Sequence, residues 1–163
     1  AQPLNAAAFS AFGQVVAVPS AGLGAVPRAI NGGHALRYDL VADLQLHAAG
    51  GCAMLAVFRA AGRSFPLPLV EMECHTLGSQ TFIPLGSHRF VVVVAAAASA
   101  CQVGDLQAFI TDGQQGVVLA TGTWHHALLA VEGGDFAVLE RRGAHTDCDL
   151  CHLPAPVQVQ LAV

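Results

Sequence analysis

Downstream of residue 50 the chain runs as short β-rich segments separated by turn signals about ten residues apart, a rhythm that excludes most architectures other than an all-β sandwich or barrel. Branched, aromatic or alternating runs occupy residues 53–59, 71–75, 81–84, 90–96, 106–110, 116–120, 125–131 and 135–141. Between them lie Pro84-Leu85-Gly86, Thr111-Asp112-Gly113, Thr121-Gly122 and Glu132-Gly133-Gly134, residues that favour turns through fixed or positive φ. Helix signals are sparse. Asn5 is a plausible N-cap for a short helix over 5–12, and residues 67–72 have room for one helical turn. Neither a solenoid repeat nor a linker interrupts the pattern, so one domain over residues 1–163 is expected.

Composition narrows the function classes. Only 11% of residues are charged and 54% are hydrophobic, against about 25% charged in an ordinary soluble domain, so much of the chain belongs inside or in an interface and an oligomer is expected. All seven cationic side chains are Arg, scattered along a chain of net charge −4, which leaves no footprint for nucleic acid. No basic amphipathic helix addresses a membrane surface, and the nine-residue apolar run 90–98 falls short of the roughly 20 residues that span a bilayer. The start AQPLNAAAFSAFG has no basic n-region and no continuous h-region, so no signal peptide is expected and the cytoplasm is the expected compartment. Five Cys, an odd number, then read as free thiols. The stretch Cys148-Asp149-Leu150-Cys151-His152 fits the C-x-x-C-H spacing of haem attachment. Its place in a Pro-containing tail of a body without helices argues against haem, and none is expected; with His145 the same stretch has the ligand types of a partial zinc site.

Ionisable residues are so few that EMECH, residues 71–75, stands out. On a strand Glu71, Glu73 and His75 project from one face and Met72, Cys74 and Thr76 from the other. The row is either a solvated outer face or the lining of a barrel mouth, where carboxylate and imidazole bind a metal or exchange protons. Gln80 follows a turn at Leu77-Gly78-Ser79, and some forty residues later Gly122-Thr123-Trp124-His125-His126 opens another strand. This layout resembles the two motifs of the cupin barrel, with Glu73 and His75 at the first two ligand positions, Gln80 at the third and His125 at the last. Such oxygen and imidazole donors suit nickel, manganese, iron or zinc. Alternation turns only one of the paired His inward; the spacing selects His125, with His126 as the alternative.

Beyond these motifs, the chain resembles the ureidoglycolate lyase family over most of its length. The shared segments are AFSAFGQVV, ALRYDLVADL, VFRA, LPL, EMECHTLGSQTFIPL, FVVVVA, AFITDGQQGVVLATGTWHHALLAV, GDFAVLERRG and DCDL. The resemblance implies a cupin-fold homodimer that cleaves (S)-ureidoglycolate to glyoxylate and urea. Against the family pattern E-x-E-R-H-P-x-G-[ST]-Q, the chain carries Cys74 where Arg is usual and Thr76 where Pro is usual, and Ala127 replaces a Pro that often follows the paired His. Cys74 points away from Glu73 and His75, so its departure bears on packing or on a subunit contact.

Ureidoglycolate carries hydroxyl, carboxylate and urea nitrogen on one carbon. Its breakdown needs a base for the hydroxyl proton and an acid for the departing nitrogen, work suited to Glu73, His75 and His125. Burial beside imidazole is expected to bring the Glu73 carboxyl towards neutral pH. Arg37 and Arg59 are the candidates for the substrate carboxylate, with Gln80, Asn31 and Trp124 as further contacts. A different metal-dependent cupin enzyme, or a non-catalytic cupin that binds a small 2-oxo or 2-hydroxy acid, would share the barrel motifs.

Overall fold

The computed structural model describes residues 1–19, 26–96 and 105–161. Its strands, in chain order, are β1 (Gln2–Pro3), β2 (Gly13–Val16), β3 (Arg28–Ile30), β4 (Ala35–Arg37), β5 (Cys52–Ala61), β6 (Leu67–Cys74), β7 (Gln80–Pro84), β8 (Phe90–Ala95), β9 (Gln107–Ile110), β10 (Gly116–Leu119), β11 (Trp124–His125), β12 (Leu129–Ala130), β13 (Gly133–Arg142) and β14 (Asp149–Val159). One short helix, α1 (Ala6–Phe9), follows β1, and the Asn5 side chain caps it by accepting from the Ala8 N–H at 2.9 Å. A seven-stranded sheet runs in the order β1-β9-β8-β11-β6-β14, with β12 also paired to β8; a five-stranded sheet runs β2-β10-β7-β13-β5. The hairpin β3–β4 stands apart from both.

Alternation explains how the two sheets make one core. Phe90, Val92 and Val94 of β8 face Phe82 of β7, Val117 and Leu119 of β10, and Phe136 and Val138 of β13, all buried. Phe90 meets Phe136 edge to face across the gap, with centroids 5.5 Å apart. The intervening residues Val91 and Val93 join Leu69, Met72, Leu129 and Leu153 in a second cluster on the other face of the large sheet. Near-continuous burial along β8 follows from this double coverage, and it makes the run of four valines a strand rather than an exposed edge. The result is an all-β, cupin-like arrangement of two sheets.

The expected strands appear with shifted ends, and three differences have physical causes. Residues 67–72 form no helical turn; they lengthen β6, which pairs on both sides with β11 and β14. The expected strand 125–131 is split into β11 and β12, with His126, Ala127 and Leu128 between them. The Pro-containing tail is strand β14. It tolerates Pro154 and Pro156 because it lies at the sheet edge and its register with β6 breaks between His152 and Val157. Among the described residues Cys52, Cys74 and Cys148 are free, as expected, whereas Cys151 is disulfide-bonded, against the expectation of a free thiol; Cys101 lies outside the described residues.

Candidate functional site

Strand pairing places the central residues. β11 lies antiparallel to β6 with His125 opposite Glu73, so both project between the sheets, and His125 Nε2 lies 3.3 Å from Glu73 Oε1. Gln80, the first residue of β7 on the facing sheet, reaches across the gap. Its Oε1 is 3.1 Å from His125 Nε2, while its Nε2 donates to Glu140 Oε2 at 2.9 Å. The Glu140 carboxylate can only accept, so the Gln80 amide is fixed with its oxygen towards His125. His125 is 1% exposed, and its Nδ1 lies 3.0 Å from the Thr123 carbonyl, which anchors the ring on its other side.

His75 follows the end of β6, with its ring centroid 5.1 Å from that of His125. Its Nδ1 donates to the Asp147 carbonyl, which leaves the Nε2 lone pair open; Nε2 is buried and has no hydrogen-bond partner among the described residues. The Asp147 carboxylate in turn accepts from the Thr76 N–H, the Thr76 hydroxyl and the Leu77 N–H at 2.8, 3.1 and 2.9 Å. One segment thereby fixes both the turn after β6 and the orientation of His75. Ligand atoms of Glu73, His75 and His125 lie within 4.8 Å of one another, and together with the open His75 Nε2 this donor set suits a divalent metal ion.

Electrostatics assigns a role to the carboxylate. The hydrogen bond from His125 holds the Glu73 carboxyl below its ordinary value; burial opposes this, and the nearby His125, His75 and His126 rings reinforce it. The expectation of a Glu73 shifted up towards neutrality is therefore corrected: the imidazole contacts outweigh desolvation, and Glu73 is an acceptor. Cys148 Sγ donates to Glu73 Oε2 at 3.8 Å, and burial, followed by the Glu73 charge, pushes this thiol up. Burial pushes the Cys74 thiol up to about 11, with the charges of Asp149, Asp147 and Cys148 adding to it, which removes Cys74 from nucleophilic chemistry.

Two cavities flank the cluster. The first, about 260 Å³, is lined by His75, Glu140, Arg141, Arg142, Asp147 and Cys148 among others. The second, about 370 Å³, is lined by Phe58, Arg59, Glu73, Gln80, Phe82 and Leu128 among others.

The structure thus brings Glu73, His75, Gln80 and His125 together. His126 is half-buried beyond β11, with Nδ1 2.9 Å from the Ala127 carbonyl. The other proposed contacts are distributed differently. Trp124 pairs with Cys74 and packs on the opposite face of the sheet from His125. Arg37 bonds Asp39 at 2.6 Å on the exposed β3–β4 hairpin, and Asn31, also exposed, sits in the tip of that hairpin. Arg59 lines the second cavity but is held by Asp135 through two bonds of 2.8 and 3.0 Å. Glu71 is at the exposed rim, 3.8 Å from His152. The tail ligands form no metal cluster; Glu73, His75 and His125 are the one group of three such ligands among the described residues. Glu140, Arg141 and Asp147 were not singled out from the sequence, although the segments GDFAVLERRG and DCDL hold them, and Cys148 was read only as a tail thiol or part of a zinc site.

A family model described as ureidoglycolate lyase matches residues 1–160. Curated relatives include the ureidoglycolate lyase of Azotobacter vinelandii, 37% identical over 91% of this chain and 87% of the relative. That of Burkholderia cepacia is 39% identical over 90% of this chain and 81% of the relative. That of Pseudomonas fluorescens strain SBW25 is 36% identical over 91% and 87%.

Proposed function

The chain belongs to the ureidoglycolate lyase family, and from that premise we propose that its Glu73, His75 and His125 cluster splits (S)-ureidoglycolate into glyoxylate and urea. The observation that carries the residue assignment is the pair of imidazoles, half-buried His75 with an open, buried Nε2 and buried His125 with Nε2 held between Glu73 and Gln80.

His75 Nε2 takes the hydroxyl proton as the carbonyl of glyoxylate forms. The carbon–nitrogen bond breaks, its electron pair moves to the urea nitrogen, and that nitrogen takes a proton from His125 Nε2. Glu73 stays ionised and stabilises positive charge on either ring, and return of the proton from His75 to His125 closes the cycle. Gln80, aimed by Glu140, fixes the His125 ring while charge moves. If bound, a divalent nickel, manganese, iron or zinc ion would be held by Glu73, His75 and His125, with Gln80 beside them, and would supply Lewis acidity towards the substrate oxygens in place of proton transfer at the ring nitrogens it occupies.

The protein is also proposed to work as a homodimer. Leu55 and Val57 of β5 are 72% and 62% exposed, and they share the outer face of the small sheet with Leu139, Ala137 and Ile83. A second copy covering this face accounts for so apolar a surface. Sedimentation tests it: Val57→Asp should convert a dimer to a monomer, and a monomeric wild-type protein would refute it.

Activity is tested by quantifying urea, glyoxylate and ammonia separately from racemic ureidoglycolate, after chelation and after adding back each metal. Equal urea and glyoxylate without ammonia is the expected result. Glyoxylate binding without turnover in every metal condition would replace the enzyme reading with a non-catalytic binding protein.

A further inference from the structure

Three of the seven arginines are neutralised by a carboxylate: Arg37 by Asp39, Arg59 by Asp135 and Arg89 by Glu132. Arg141, near the end of β13, is held differently. Its Nε donates to the Ala48 carbonyl at 2.7 Å and its Nη2 to the Ala49 carbonyl at 3.3 Å, and no carboxylate among the described residues pairs with it. Its Nη1 is buried without a hydrogen-bond partner among the described residues.

Around this side chain the backbone is stripped to glycine. A Cβ at Gly51 would come within 2.4 Å of Nε, one at Gly143 within 2.6 Å of Nη1 and Nη2, and one at Gly78 within 2.5 Å of the Arg141 Cβ. Arg141 is therefore clamped in one conformation by three sites that admit no side chain. A guanidinium held this way, with donors left over and no counter-charge, is costly unless an anion completes it. It lines the first cavity together with His75, whose Nε2 is the other buried atom of that wall without a partner.

We propose that Arg141 is the receptor for the substrate's carboxylate, which Nη1 binds while the hydroxyl of the same molecule faces His75 Nε2. This rests on the lyase reading of the site. Gly143 lines the same cavity and has no side chain to cover Nη1 and Nη2 there. The fixed fork sets the orientation of a carboxylate in a way that a Lys ammonium does not. Arg141 replaces Arg37 and Arg59 in this role.

The test uses the two products as probes. Wild type, Arg141→Lys and Arg141→Met are compared for inhibition by glyoxylate, which carries the carboxylate, and by urea, which is neutral, alongside KM and kcat for ureidoglycolate. Loss of a charge-assisted contact should weaken glyoxylate inhibition and raise KM by about ten- to a hundredfold, with urea inhibition unchanged. A purely structural Arg141 would affect both probes alike, and that result overturns the proposal, as does glyoxylate inhibition that stays within about threefold of wild type. If Arg141→Met does not fold, Arg141→Lys gives the same reading. A wild-type protein that binds glyoxylate but does not turn over ureidoglycolate overturns the lyase reading alone, because the glyoxylate arm still reports on Arg141.

Discussion

The two cavities beside the cluster are both lined by arginine, but Arg59 and Arg141 are prepared for different work. In the second cavity Arg59 is 87% exposed and already satisfied by both oxygens of Asp135, among the apolar walls of Phe58, Phe82 and Leu128. In the first, Arg141 has no carboxylate partner among the described residues and His75 has an open Nε2. Proximity of a cation to a catalytic cluster is a poor guide to its role. What distinguishes the two is whether its donors are already occupied, which depends on partners far away in sequence.

Substitutions on the two sides should separate by magnitude. His75→Ala, in the first cavity, removes the group with the open lone pair and should lower kcat by about 10²- to 10⁴-fold, with the thermal midpoint little changed; unimpaired kcat would remove His75 from the mechanism. Gln80→Leu, at the second cavity, leaves Glu140 and His125 without the amide between them. It should lower kcat by roughly tenfold or more, since a loss of about 1.4 kcal/mol of positioning is a factor of ten. A change confined to KM would show that Gln80 contacts substrate instead of aiming His125.

Asp147→Asn sharpens the comparison through stability. It exchanges an ionised acceptor of two N–H groups and a hydroxyl for a neutral one, and should cost about 1.5–3 kcal/mol in denaturant unfolding together with reduced kcat, because the same residue's carbonyl orients His75. Unchanged kcat in the folded variant would separate the turn from the site.

Arg59→Met, in the second cavity, should have the smallest effect, with KM within about threefold of wild type. Its signature is instead acid dependence. The Arg59 hydrogen bond holds the Asp135 carboxyl below its ordinary value of 3.8, against an opposing effect of burial. A carboxyl lowered by folding stabilises the protein above its ordinary value and loses that contribution as pH falls through the lowered one. Any small stability advantage of wild type over Arg59→Met should therefore be present at neutral pH and shrink below pH 3.8. An advantage that grew on acidification would contradict the pairing.

How much of this was legible follows from the range of each signal. Period-two alternation in EMECH and the spacing to Gln80 and His125 are local, so the cluster could be named from sequence. The same alternation turns Trp124 away from His125, so naming both as site residues was inconsistent with the strand that carries them. Glu140 and Asp147 reach the cluster from 60 and 72 residues away, through the pairing of β13 with β7 and the path of the chain after it. No local pattern encodes such a register. Strand β14 was hidden because two prolines in a tail read as loop, and only its edge position makes them tolerable. That Arg141 has its donors on carbonyls and not on a carboxylate is likewise a property of tertiary partners.

The most direct measurement is a crystal structure of the protein with glyoxylate and urea bound together. The carboxylate should lie within hydrogen-bond distance of Arg141, with the aldehyde oxygen towards His75 and a urea nitrogen towards His125. Glyoxylate seated instead at Arg59 among Phe58, Phe82 and Leu128, with the first cavity free of it, would contradict this account.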